Sequence, residues 1–107
     1  MILLLDIVSP IPEFSVIDDN KIIFSENILK TKEDKLSDKI IPSYQKLDKS
    51  MDLTNKLKSL IVTTGPGSYT ALRVGISFIL GLSFSKKIKI AGLSIQDLLN
   101  LKKKGNQ

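Results

Sequence analysis

Residues 2–8, ILLLDIV, are apolar with no alternation apart from Asp6. Such a run predicts a strand covered on both faces, as in the middle of a sheet. Ser9-Pro10-Ile11-Pro12 breaks it. Phe14 and Val16, then Ile22, Ile23, Phe24 and Ile28, predict two further strands. Between them Asp18-Asp19-Asn20 supplies a tight turn, because Asp and Asn tolerate positive φ. The first third therefore reads as a three-stranded antiparallel meander. The period then changes. Leu36, Ile40, Tyr44, Leu47 and Met51 recur at steps of three or four, one face of a helix, with Lys35, Asp38, Lys39, Gln45, Lys46 and Lys49 opposite. Pro42 falls inside it, and an interior proline costs about 3 kcal/mol, so a kinked helix or two short ones is expected.

Residues 59–64, SLIVTT, predict a second buried strand. GPGSYT follows, then a helix over residues 71–84, then a fifth strand over 88–93, IKIAGL. Ser94 is a natural N-cap for a last helix carrying Ile95, Leu98, Leu99 and Leu101, which ends in Lys102-Lys103-Lys104-Gly105. The order β-β-β-α-β-α-β-α requires right-handed crossovers between parallel strands. It predicts an α/β fold, a mixed five-stranded sheet with helices on both faces, as a single domain over residues 1–107.

The helix over residues 71–84 is apolar nearly all round; Arg73, Ser77, Ser83, Gly75 and Gly81 are its interruptions. A helix of this kind is covered on every side. Two coverings fit the pattern: it lies wholly inside the fold, or another protein completes the covering. Gly75 and Gly81 would let another backbone come close. The preceding loop supports two readings as well. Gly65 and Gly67 permit a sharp strand-to-helix turn, and Ser68 or Thr70 can cap the helix. The amides of a helix start also attract anions, so Gly65, Gly67, Ser68 and Thr70, with Asp6 at the end of the first strand, form a candidate anion or nucleotide loop. A structural turn is the commoner outcome, and no Gly-Lys-Ser/Thr follows to make a phosphate-binding loop of the nucleotide-triphosphatase type. For a lone Asp6, hydrogen bonding to nearby amides is likewise the commoner role.

Composition narrows the chemistry. The 107 residues contain no cysteine and no histidine. Disulfides, thiol catalysis, serine–histidine catalysis and histidine- or thiolate-based metal sites are excluded, and no metal site or cofactor is expected. The net charge of +5 is unevenly placed. Residues 1–52 carry ten acids against seven lysines, net −3, and residues 53–107 one acid against nine bases, net +8. A basic half can attract RNA or an acidic surface. With no aromatic residues interleaved among the lysines, a solvated face is the reading taken. The start lacks a basic segment ahead of its apolar run, and the longest apolar stretch, residues 74–84, is too short to span a bilayer, so a cytoplasmic protein is expected.

VTTGPGSYTALRVGISFILGLSFSKKIKIAGLS resembles the signature of the TsaB (YeaZ) family, in which a GPGSFTGLR-type loop opens a helix and a short strand ends in G-[VL]-S. ILLLDIV resembles that family's opening strand, and residues 36–47, with Pro42 inside, its first helix. The resemblance implies an RNase H-like domain of the actin and sugar-kinase superfamily. It implies a non-catalytic scaffold that supports the catalytic protein TsaD in making N6-threonylcarbamoyladenosine on tRNA, with any contact to tRNA indirect. In the family the first two helices pack against those of TsaD, or of a second copy, as a four-helix bundle. Carried over, Leu36, Ile40, Tyr44 and Leu47, with Leu72, Arg73, Ile76 and Ile79, are the interface candidates toward a TsaD-like subunit or in a homodimer. The chain departs from the family in three places. Family members run about twice this length, so the family's usual second domain is expected to be absent, the chain being either a fragment or a natural short form. Asp6-Ile7-Val8 stands where Asp-Thr-Ser is frequent. Lys32-Glu33-Asp34-Lys35 stands where a histidine is common. The alternative function is a small ATPase or phosphotransferase built on Asp6 and the GPGSYT loop.

Overall fold

The structure, a computed structural model, describes residues 1–8, 10–63 and 69–93. The expected final helix, with Ser94, Ile95, Leu98, Leu99 and Leu101, and the loop residues Gly65, Gly67 and Ser68 lie outside the described residues. The elements are β1 (Ile2–Asp6), β2 (Glu13–Asp18), β3 (Lys21–Asn27), α1 (Leu36–Met51), α2 (Leu53–Lys56), β4 (Ser59–Thr63), α3 (Tyr69–Lys86) and β5 (Lys89–Leu93). They form one five-stranded sheet in the order β3-β2-β1-β4-β5. β1–β2 and β2–β3 are antiparallel, and β1–β4 and β4–β5 are parallel. This is the mixed sheet that the strand order predicts.

The meander closes through Asp19 and Asn20, whose φ angles are 53° and 62°. Asp18 pairs directly with Lys21 across them, so the connection is a two-residue turn with both central residues at positive φ, matching the right-handed twist of the strands. A bulge between Val16 and Ile17 shifts the register before the turn.

β1 is the central strand, and Leu3, Leu4, Leu5 and Asp6 are all fully buried, as the unbroken apolar run requires. One face of the sheet carries Leu3, Leu5, Phe14, Val16, Leu60 and Val62, and α1, α2 and α3 all pack on it, so among the described residues the helices lie on one face and not on both as expected. The opposite face holds a smaller cluster, Leu4 and Ile17, with Ile2, Ile22 and Ile61 against it. Burying one leucine side chain in such a core contributes about 1.5–3 kcal/mol. At the centre of the main core, Phe14, Tyr44 and Phe78 meet edge to face with centroids 5.5–6.1 Å apart, joining β2, α1 and α3.

α1 is one helix rather than two, running through Pro42, which is exposed. It ends at Asp52 in the left-handed conformation (φ 53°), after which α2, absent from the expected order, makes a single short turn. Its entry is tied down by Asp34. Asp34 Oδ2 accepts the backbone N–H of Lys30 (2.8 Å) and of Thr31 (3.0 Å), which hold its carboxyl below the usual range. Glu26 on β3 receives Lys46 of α1 (3.2 Å) and Lys30 (3.3 Å). Burial pushes this carboxyl up, but the two ammonium groups outweigh it and the net shift is downward.

Candidate partner interface

α1 and α3 lie side by side on the sheet. α1 turns Leu36, Ile40, Tyr44 and Leu47 inward, and all four are buried in this chain's own core. Ile79 of α3 is buried with them, and Leu72 is half-buried against the same cluster. These positions, which the family resemblance implies for a partner, are covered within this chain. The physical reason is that helical periodicity picks out the largest apolar stripe, and the chain's own sheet takes that stripe first. Arg73 and Ile76 do face outward. With them stand Ile41, at 54% exposure, and Leu80, at 55%. The sequence reading passed over both. Ile41 sits beside the periodic stripe, and Leu80 is one helical turn beyond Ile76; that i, i+4 spacing was the available signal.

Between the helices runs a groove of about 530 Å³ whose walls include Ile41, Thr70, Arg73, Val74 and Phe78. A second hollow of about 470 Å³ shares Ile41, Ser77 and Phe78 and reaches Tyr44, Gly81 and Leu82. The two therefore adjoin along the seam. The floor is the aromatic cluster. Tyr44 Oη shares a 2.6 Å hydrogen bond with Thr54 Oγ1, and burial raises its pKa, so the phenol stays neutral at physiological pH. The two glycines behave differently. A Cβ at Gly75 would lie 2.9 Å from Ile7 Cδ1 and 3.1 Å from Leu5 Cδ2, so this glycine serves the close passage of α3 over β1. A Cβ at Gly81 would meet nothing within 4 Å, and that side of the helix stays open to an outside approach.

The second candidate site lies at the C-terminal ends of β1 and β4. Asp6 is fully buried, and its Oδ1 accepts the N–H of Val8 at 3.1 Å. Thr63, also fully buried, accepts the N–H of Ile7 on Oγ1 at 3.0 Å. Both side chains hold down the backbone where β1 ends. Thr70 is exposed in the first turn of α3. Gly65, Gly67 and Ser68 of the expected loop lie outside the described residues.

Against known proteins, the family model for TsaD, tRNA N6-adenosine threonylcarbamoyltransferase, matches residues 23–104. The chain belongs to the TsaD family. Its fold is shared with YeaZ from Pseudomonas aeruginosa (TM-score 0.72, 17% identity, 87% of this chain and 43% of that one). A second P. aeruginosa structure, an uncharacterized protein with similarity to peptidase YEAZ, gives TM-score 0.66 at 18% identity over 87% of this chain and 42% of that one. A RuvC from T. thermophilus, in complex with a Holliday junction substrate, aligns at TM-score 0.62 and 7% identity over 89% of this chain and 64% of that one. The domain is thus RNase H-like, as the resemblance implied. The chain spans less than half the length of the two YeaZ-type structures. Among curated proteins none matches the sequence. Among the described residues no helix is long and apolar enough to cross a membrane.

Proposed function

We propose that the chain is a TsaB-like partner subunit. It docks a TsaD-like catalytic subunit, or a second copy of itself, through the outer faces of α1 and α3. In doing so it supports N6-threonylcarbamoyladenosine formation on tRNA without carrying out the transfer. Membership of the TsaD family supplies the reaction. The observation that carries the partner role is the set of outward apolar side chains on the two neighbouring helices, Ile41 beside the groove on α1 and Ile76 and Leu80 one turn apart on α3, with Arg73 exposed on α3. Apolar side chains gathered on one helical face are the usual mark of a protein-binding site. The 107 residues contain no histidine, which fits a chain that leaves the transfer to the other subunit.

Sedimentation of the chain, alone and mixed with TsaD, tests this. Leu80 is more than half exposed, so Leu80→Glu leaves the monomer folded while placing a charge in the docked face. Association of the wild-type chain, weakened at least tenfold by Leu80→Glu, is the expected result. A folded Leu80→Glu variant that associates as well as wild type would refute the proposal, as would a wild-type chain that stays monomeric and ignores TsaD. A tRNA modification assay with TsaD is expected to need the wild-type chain and to fail with the variant.

A further inference from the structure

The basic half of the chain is gathered by the fold at one end of the sheet. Lys58 precedes β4 and Lys89 opens β5, where it pairs with Ser59. Lys58 donates its backbone N–H to Met1 at the start of β1, and Lys56 sits one turn earlier in α2. Lys86 ends α3, and Lys87 makes the turn into β5 at φ 56°. All five lysines are exposed. The ion pairs among the described residues involve Lys30, Lys39 and Lys46, and none of these five. Across the sheet at the same end, the β2–β3 turn carries Asp18 and Asp19. They stand beyond β1, roughly 10 Å from β4 and 14 Å from β5 at about 4.8 Å per strand, more than a Debye length of about 8 Å at physiological salt. Asp52, four residues before Lys56, accepts from Asn55 Nδ2 at 2.8 Å and is the acid next to Lys56, so the net charge of the patch rests on Lys58, Lys86, Lys87 and Lys89.

An aromatic ring joins this set. Phe84 is 92% exposed, and with Lys87, Ile88 and Lys89 it lines a hollow of about 450 Å³. Phe84 stands one helical turn beyond Leu80 on α3, and Lys86 lines the second hollow of the interhelical seam, so the patch adjoins the proposed docking face at the end of the helix. The sequence reading set the lysines aside because no aromatic interrupts them; the α3–β5 turn puts one beside them in space. Lysines that neutralise phosphates, next to a bare ring on which a base can stack, are the two components of single-stranded nucleic-acid binding.

We infer that this end of the sheet, formed by Lys56, Lys58, Lys86, Lys87, Lys89 and Phe84, binds an unpaired stretch of RNA, the lysines holding its backbone and Phe84 stacking on one base. The choice of RNA over DNA rests on the proposed function; the patch itself does not. It gives the chain a direct hold on RNA in place of the indirect one expected.

The test uses the whole chain and a fluorescein-labelled oligouridylate of about twelve nucleotides, followed by anisotropy from ~50 to ~200 mM salt. Each phosphate neutralised on a single strand contributes about −0.7 to the slope of log K against log salt, so three to five contacts give roughly −2 to −3.5. Lys87→Gly relieves a lysine held at positive φ, so its fold is secure while one charge is lost. It and Lys89→Gln are each expected to bring the slope nearer zero by about 0.7. Phe84→Ala weakens binding about tenfold and leaves the slope unchanged. No binding at ~50 mM salt, or a slope that ignores both lysine variants, overturns the inference. Binding to phosphatidylserine vesicles but not to the oligonucleotide overturns it too, in favour of a lipid surface. Ile41→Glu, which charges the docking face on α1 and lines no part of the Phe84 hollow, is expected to bind the oligonucleotide as wild type does while losing association, so the two proposals fail separately.

Discussion

Asp34 and Glu26 are single side chains on which neighbouring segments depend. Both carboxyls are held below their ordinary values of 3.8 and 4.5, Asp34 by the amides of Lys30 and Thr31, Glu26 by Lys46 and Lys30 against the opposing effect of burial. A carboxyl lowered in the folded state adds stability above its unfolded pKa and loses it as pH falls through the folded one. The urea midpoint is therefore expected to start dropping near pH 4.5 and to go on falling below pH 3.8. In Asp34→Asn part of that dependence should vanish, which a urea series across this range measures. The glycines of α3 give an opposed pair. Gly75→Ala gains about 1 kcal/mol of helix propensity but forces a Cβ against Ile7 and Leu5, a strain of about 1–3 kcal/mol. Gly81→Ala gains the same propensity with nothing in the way. Thermal melts should show Gly75→Ala lowered by several degrees and Gly81→Ala raised by a comparable amount, since 1 kcal/mol shifts a domain of this size by about 4–8 °C.

At the scale of elements, strands and helices could be read because their patterns are local. An unbroken apolar run marked β1, the Asp19–Asn20 turn marked the hairpin, and one apolar stripe marked α1. Which side of a helix stays outside the fold could not be read the same way. Leu36, Ile40, Tyr44 and Leu47 are the most regular apolar positions in the chain, and regularity is what the chain's own sheet selects. The residues left outside, Ile41, Ile76 and Leu80, are known as outward only when α1 and α3 are placed on the sheet. α2 escaped notice because four residues carry no period. Tyr44 shows what an inward position does instead: its hydroxyl bonds Thr54, whose N–H in turn bonds Asp48 (2.7 Å). Tyr44→Phe is expected to cost about 1 kcal/mol, seen as a lower urea midpoint, while sedimentation stays as in wild type.

At the scale of the molecule, charge and topology act together. Five lysines scattered from position 56 to 89 become one patch because β1, β4 and β5 are parallel and all start at the same end. A sequence average could register the basic half but not its gathering point. The order of the strands has a second outcome, felt during synthesis. Of the five strands β1 is made before the others, and it is the middle strand of the finished sheet. Its partner β2 follows at once, but Ser59, which pairs with Ile2, is made only after the meander and α1 are complete. Until then the nascent chain holds β1 with one side unsealed and its leucines waiting, the interval in which a chaperone has most to grip.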